Sequence, residues 1–87
     1  MNWNWAESNP KIYVDMNVVD ILMKARGIMS YTILANLIGV HRSTLHNIRD
    51  GKTTPNGVTT ARMCAVLGCQ PGDILHMRYN FKTPPQE

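Results

Sequence analysis

The chain has 87 residues, enough for one small domain and too few for two. Hydrophobic residues make up 44% of it and charged residues 17%, a composition that excludes a chain disordered along its whole length. The net charge of +3 permits nucleic acid or another anionic surface as a partner without requiring either.

The N-terminus has neither the basic start nor the apolar run of an export signal, and no apolar stretch could cross a bilayer. We therefore expect a cytoplasmic protein with no membrane partner. Cys64 and Cys69 agree with a reducing compartment, since two cysteines five residues apart do not form a disulfide framework. Their spacing does not suit a metal site either, so we expect buried thiols and no metal or other cofactor.

Residues 1–15 are interpreted as an N-terminal arm that ends in a short strand. Trp3 and Trp5 stand out in its polar first half. They are expected to pack on the domain or on a protein partner, and the alternative is an arm that reaches DNA or a co-regulator.

Two short segments near the ends of the chain alternate apolar and polar residues, and both predict strands. They are Lys11–Asp15 and Met77–Lys82. A single strand at each end of a helical domain leaves backbone hydrogen-bonding groups unpaired, so we expect the two to pair with each other. The alternative is that each pairs with a second subunit.

The first predicted helix runs from about Asn17 to Arg26. Asn17 is a suitable N-cap, and Asp20 lies near the positive end of the helix dipole. Val18 and Leu22 are expected to face inward, together with Val19 and Met23. Gly27 is expected to end the helix.

A second helix is predicted after Ser30, a suitable N-cap, with an apolar stripe and an end at Gly39. A third begins at His41 or Arg42, with Leu45 and Ile48 pointing inward. Its opposite face groups four residues with hydrogen-bonding side chains, the chemistry that the major groove of DNA requires. These four are Arg42, Ser43, His46 and Asn47.

Residues 51–57 have the composition of a loop. A fourth helix is predicted from about Val58 to Leu67, closed by Gly68, and a fifth from Pro71 to Leu75. Residues 16–77 would thus form the domain, and residues 78–87 a short strand followed by a frayed tail. The predicted fold class is all-α, a compact bundle of about five helices, with a short β-ribbon formed by the terminal segments.

Residues 30–55 follow the pattern Ser30-x-x-x-Leu34-Ala35-x-x-Ile38-Gly39-Val40-x-x-Ser43-Thr44-Leu45-x-x-Ile48-x-x-Gly51-Lys52-x-x-Pro55. The pattern resembles the helix-turn-helix of Cro- and lambda-repressor-like regulators from bacteria and phages, and the resemblance extends over roughly residues 16–77. It implies a lambda-repressor-like bundle that binds double-stranded DNA as a homodimer, with half-sites about 34–36 Å apart.

The resemblance also implies roles for individual residues. Arg42, Ser43, His46 and Asn47 match positions at or beside those that read bases, although an ordinary solvated polar face would have the same composition. The expected contacts to the DNA backbone are Tyr31, His41, Arg49, Lys52, Thr53, Thr54 and Asn56.

Three of the expected backbone contacts and one core position leave alternatives open. Tyr31 stands where relatives commonly have a glutamine that bonds a phosphate, and a phenol can donate the same bond. Arg49 could instead pair with Asp50, and Lys52 could simply be solvated. Thr60 stands where relatives bury a leucine, which predicts a lower stability.

The resulting hypothesis is a sequence-specific transcription regulator, most simply a repressor, that reads the major groove with the helix at residues 42–50. Alternatives are an antitoxin that binds both operator and toxin, a restriction-modification controller, and a protein-interaction module that has kept the fold without binding DNA. An enzyme is not expected, because the sequence contains no carboxylate pair, nucleophile–base pair or glycine-rich phosphate loop.

Overall fold

The computed structural model describes residues 10–78, and in this range it contains five helices and a two-stranded sheet. The expected fold class is confirmed. Trp3, Trp5 and the last four residues of the second predicted strand lie outside the described range. In chain order the elements are β1 (Lys11–Val14), α1 (Met16–Ala25), α2 (Tyr31–Ile38), α3 (Arg42–Arg49), α4 (Gly57–Leu67), α5 (Pro71–Ile74) and β2 (Leu75–Arg78).

The two strands form an antiparallel ribbon, as predicted for the ends of the chain. Lys11 lies opposite Arg78 at one end of the ribbon, and Val14 lies opposite Leu75 at the other. β2 begins at Leu75, two residues earlier than expected, and so includes the last residue of the predicted fifth helix. The backbone N–H of Asp15 continues the ladder by donating to Ile74 O at 2.7 Å. Leu75 pairs with β1 and is therefore extended, so α5 ends at Ile74.

The start of α1 differs from the prediction. Its N-cap is Asp15, whose Oδ1 accepts hydrogen bonds from the backbone N–H of Asn17 at 3.1 Å and of Val18 at 3.3 Å. The assignment of Asn17 as the cap was therefore wrong, because the aspartate assigned to the end of the strand also starts the helix.

Two of the four α1 residues that were expected to face inward are fully buried. Val19 and Met23 are buried, whereas Val18 and Leu22 are half-buried at the margin of the core. Gly27 adopts a φ of 71° after the helix, and Ile28 folds back so that its N–H donates to Met23 O at 2.9 Å. The predicted end of the helix is thus confirmed, with Ile28 buried against it.

One hydrophobic core receives side chains from all five helices and from β1. α4 begins at Gly57, one residue before its predicted start, and Thr60 is the buried polar residue among those described. The buried hydrophobic residues are Val14, Val19, Met23, Ile28, Leu34, Ala35, Ile38, Leu45, Ile48, Met63, Cys64, Leu67 and Ile74.

No helix within residues 10–78 is both long enough and apolar enough to traverse a lipid bilayer.

Candidate nucleic-acid interface

The turn between α2 and α3 is set by local hydrogen bonds. Ser30 caps α2 by accepting from Ile33 N at 3.3 Å, and Gly39 closes the helix with a φ of 75°. Val40 then leaves the helix with its N–H donating to Ala35 O at 3.0 Å. A left-handed residue at this position costs little only for glycine, so the direction in which α3 departs depends on Gly39.

α3 lies on the core through Leu45, which is 0% exposed, and Ile48, which is 3% exposed. Its opposite side holds the four predicted base-reading residues. Arg42 and Ser43 are exposed, whereas His46 and Asn47 are half-buried. None of the four is buried, so their polar atoms lie on the surface of the helix turned away from the core.

His41 and Ser43 form a small capping unit at the start of α3. His41 Nδ1 accepts the backbone N–H of Ser43 at 3.1 Å, and the Ser43 hydroxyl lies 2.8 Å from the same nitrogen. A nitrogen that accepts these bonds carries no proton, so the proton of the neutral ring resides on Nε2. His41 is exposed, and Nε2–H is therefore available as a donor at the N-terminus of the helix.

Tyr31 connects α1, α2 and α3. Its hydroxyl donates to Asp20 Oδ1 at 2.8 Å, while its ring lies nearly perpendicular to the His46 ring, with 5.9 Å between the two centroids. The Arg49 guanidinium carbon lies 5.9 Å from the ring centroid. Burial raises the pKa of the Tyr31 phenol, and the hydrogen bond to Asp20 raises it further. The phenolic proton expected to meet a phosphate is thus bonded to a carboxylate of the same chain.

Arg49 forms an ion pair with Asp50, which was the alternative considered for it. Its Nε donates to Asp50 Oδ1 at 3.0 Å, and this bond raises the pKa of Arg49 and lowers that of Asp50. Both side chains are solvent-exposed, so the pair is weak and is screened by salt. The two terminal guanidinium nitrogens remain available to a phosphate.

The loop after α3 is fixed to the end of that helix. Asn47 O accepts the N–H of Lys52 at 2.9 Å and that of Thr53 at 3.4 Å. Thr54 instead donates its hydroxyl to Ile12 O on β1 at 3.1 Å. Asn56 caps α4 by accepting from Thr59 N at 2.8 Å, which leaves its amide N–H groups as donors. Lys52 and Thr53 are exposed.

Contacts thus link several predicted residues along α3. His46 and Arg49 meet Tyr31 on one flank, and the main chain of Asn47 holds the loop at the C-terminal end. Two basic residues that the sequence analysis did not select, Lys11 and Arg78, lie beside this loop. The predicted pairing of the terminal strands was the signal that could have found them.

The two cysteines are free thiols, with Cys64 buried and Cys69 half-buried. Burial, together with the neighbouring Cys64 thiol, raises the pKa of Cys69 from 9.0 to about 11. Within residues 10–78, no three histidine, cysteine or acidic side chains are grouped as metal ligands would be.

Comparison with known proteins agrees with this geometry. Residues 18–78 match the model of the Cro/C1-type HTH DNA-binding domain. The chain is 34% identical over 66 residues to the "Uncharacterized HTH-type transcriptional regulator YozG" of Bacillus subtilis (strain 168), an alignment covering 75% of this chain and 77% of that protein. No solved structure gives a significant match. The expected class, a helix-turn-helix DNA-binding transcription regulator, is confirmed, and the chain belongs to the family of Cro/C1-type helix-turn-helix DNA-binding domains.

Proposed function

We propose that this protein is a repressor that reads a specific DNA sequence by placing α3 in the major groove. The observation that supports this most directly is the division of α3 into two faces. Leu45 and Ile48 fix one face to the core, and the other presents polar side chains at the surface. A helix that is anchored to the core and carries hydrogen-bonding groups on its outer face can place those groups against base edges in the major groove.

Base selection would rest chiefly on Arg42. A guanidinium can donate two parallel hydrogen bonds to O6 and N7 of guanine, and such a pair discriminates between bases by about 1–3 kcal/mol. Arg42 is exposed on the first turn of α3, where no ion pair within the described residues holds it. Ser43, His46 and Asn47 would add single hydrogen bonds to neighbouring bases or to the adjacent backbone.

Contacts with the DNA backbone would surround this reading face and set the position of the helix. The donors best supported for this role are Nε2 of His41, the ammonium of Lys52 and the amide of Asn56, because none of them is hydrogen-bonded to another residue in the range 10–78. Arg49 and Thr53 would join them. Tyr31 and Thr54 would take part only if they release the protein oxygens that now accept their protons.

The protein should act as a homodimer. α3 has eight residues and a length of about 12 Å, so one copy spans only three or four base pairs. Two copies on half-sites about 34–36 Å apart would read enough sequence to be selective. Such a regulator acts where bacterial or phage DNA is found, in the cytoplasm.

Selection of bound sequences from a pool of random DNA duplexes tests this proposal. We expect a two-fold-symmetric motif for the wild-type protein, because each subunit reads one half-site in opposite orientation. The Arg42→Ala variant should enrich a motif that has lost its preference at one base pair of each half-site. Failure of the wild-type protein to enrich any motif would contradict base reading and would favour the protein-interaction module.

A further inference from the structure

A cleft of about 590 Å³ separates the start of the ribbon from the loop between α3 and α4. The ribbon contributes Lys11, Tyr13 and Arg78, which lie on the same face because side chains alternate along a strand. The loop contributes Lys52, Thr53 and Thr54. The walls therefore carry three positive charges and several hydroxyl groups, and within residues 10–78 no acidic residue lines them.

Two of these charges lie directly opposite each other. Lys11 and Arg78 are cross-strand partners in the ribbon, and like charges in that arrangement destabilise a strand pair. Arg78 is held in place by Tyr13, whose ring centroid lies 4.8 Å from the guanidinium carbon. An anion in the cleft would offset the repulsion between the two cations.

The acidic residues closest in sequence to these walls are already engaged. Asp50 pairs with Arg49 at 3.0 Å, and Asp15 lies 3.1 Å from Nε2 of His76. Neither lines the cleft. The positive charge of the cleft is therefore not neutralised by the residues that the structure describes, and it suits an anionic ligand from outside the chain.

Hydrogen bonds fix the position of the cleft relative to α3. The Asn47 carbonyl holds Lys52 and Thr53 at the end of the helix, and Thr54 ties the same loop to Ile12 O in β1. The ribbon, the loop and the reading helix are thus linked without an intervening flexible segment. A DNA duplex seated on α3 would pass this loop at the C-terminal end of the helix.

We propose that the cleft binds phosphate groups of the DNA backbone just outside the base pairs that α3 reads, with Lys11 and Arg78 as the main ligands. The inference rests on the proposed function, since it places the duplex by means of α3. The ribbon then extends the backbone contacts beyond the helix-turn-helix. It contributes affinity and salt dependence but no base preference, because phosphates are the same at every position.

The test compares two labelled duplexes that carry the selected motif. One ends at the motif, and the other continues for one helical turn on each side. Affinity is measured by fluorescence anisotropy over a series of KCl concentrations for the full-length protein. On the extended duplex, Lys11→Gln and Arg78→Gln should each make the negative slope of log K against log[salt] shallower by about 1. Each variant should also reduce the affinity at 0.1 M salt by about five- to tenfold. On the short duplex both variants should match the wild-type protein.

Two further variants separate charge from structure. Lys24→Gln removes an exposed positive charge from the last turn of α1, outside the cleft, and should change the slope little on either duplex. Arg78→Lys keeps the charge and should restore most of the slope lost in Arg78→Gln. If Arg78→Lys fails to do so, Arg78 acts through the ribbon and the proposal is wrong.

The outcomes also separate this proposal from that of the main function. A wild-type protein that enriches a motif, together with cleft variants that behave like Lys24→Gln, overturns the phosphate site and leaves base reading intact. Titration of the DNA-free protein with inorganic pyrophosphate tests whether a small anion is the ligand instead. Binding of pyrophosphate would be monitored by NMR through the amide shifts of Thr53 and Arg78. If pyrophosphate saturates the cleft and the affinity for DNA does not depend on duplex length, the proposal is equally overturned.

Discussion

The hydroxyl of Tyr31 donates a hydrogen bond to Asp20 Oδ1 at 2.8 Å, so the first residue of α2 is bonded to a carboxylate of α1. The same ring contacts His46 and Arg49 on α3. Asp20 therefore holds the phenol in the orientation in which it supports the reading helix. Asp20 also accepts the hydrogen bond that the phenol would otherwise donate to a DNA phosphate. In addition, its carboxylate places a negative charge near the expected path of the duplex.

We expect Asp20→Ala to bind DNA more tightly, by about two- to tenfold at low salt, because it releases the phenolic proton and removes a repulsive charge. In a Tyr31→Phe background the gain should shrink to the electrostatic part alone, which added salt removes. A double-mutant cycle measured by fluorescence anisotropy checks this prediction. Equal gains in both backgrounds would show that the phenol does not contact a phosphate.

The capping role of His41 can be separated from its proposed contact with DNA. Serine also caps helices, so His41→Ser should leave the free energy of unfolding nearly unchanged, whereas His41→Ala should lower it by roughly 0.5–1 kcal/mol. Both variants lose Nε2–H and should lose DNA affinity to a similar extent. Urea unfolding and anisotropy measure the two quantities, and a His41→Ser variant that binds DNA normally would remove His41 from the interface.

Substitution of Arg42 by lysine tests bidentate recognition. Arg42→Lys keeps the positive charge but loses the planar pair of donors, so affinity for unrelated DNA should change little. Preference at one base pair of each half-site should fall by about 1–3 kcal/mol. Competition with single-base variants of the selected motif measures this preference. Arg26→Lys, an exposed substitution at the C-cap of α1, is the matched control and should keep it.

The hydrogen bond from Thr54 to Ile12 predicts that the ribbon depends on the loop after α3. Thr54→Val should reduce the free energy of unfolding by about 0.5–1.5 kcal/mol and should speed amide exchange in β1. Thr53→Val is the control, because the Thr53 side chain makes no such bond within residues 10–78. Hydrogen exchange followed by NMR distinguishes the two, and equal exchange rates in β1 would contradict the coupling.

The raised pKa of Cys69 predicts a slow reaction of its thiol. With a pKa of about 11 the thiolate fraction at pH 8 is about one in a thousand, so alkylation should be about a hundredfold slower than in the unfolded chain. The folded state binds this proton more tightly, so the associated stabilisation is present below pH 9 and is lost as the pH rises towards 11. Mass spectrometry of alkylated peptides across this range, with urea-unfolded protein as reference, measures the rates.

The helix-turn-helix was predictable because its signals are local. Ser30 caps α2 through a residue three positions away, and Gly39 supplies the left-handed turn wherever the helix packs. Leu45 and Ile48 follow the helical period, which places them on the side opposite Ser43 before any tertiary contact is known. These features depend on spacing along the chain, and the structure agrees with each of them.

The start of α1 could not be assigned in the same way. Asp15 follows an alternating segment that predicts a strand, and Asn17 is an equally good cap by residue type. Whether Asp15 or Asn17 caps α1 depends on the pairing of β1 with β2, because that pairing fixes where the strand ends and the helix begins.

The sequence by itself determined the class of protein, the helix order and the polar face of α3, since caps, glycines and hydrophobic periods act within a few residues. Only the tertiary structure decided the partner of Tyr31, the link from Thr54 to Ile12, and the juxtaposition of Lys11 with Arg78. Residues 11, 42 and 67 positions apart meet only after the helices and strands have docked. No local pattern encodes the angles and distances at which they do so.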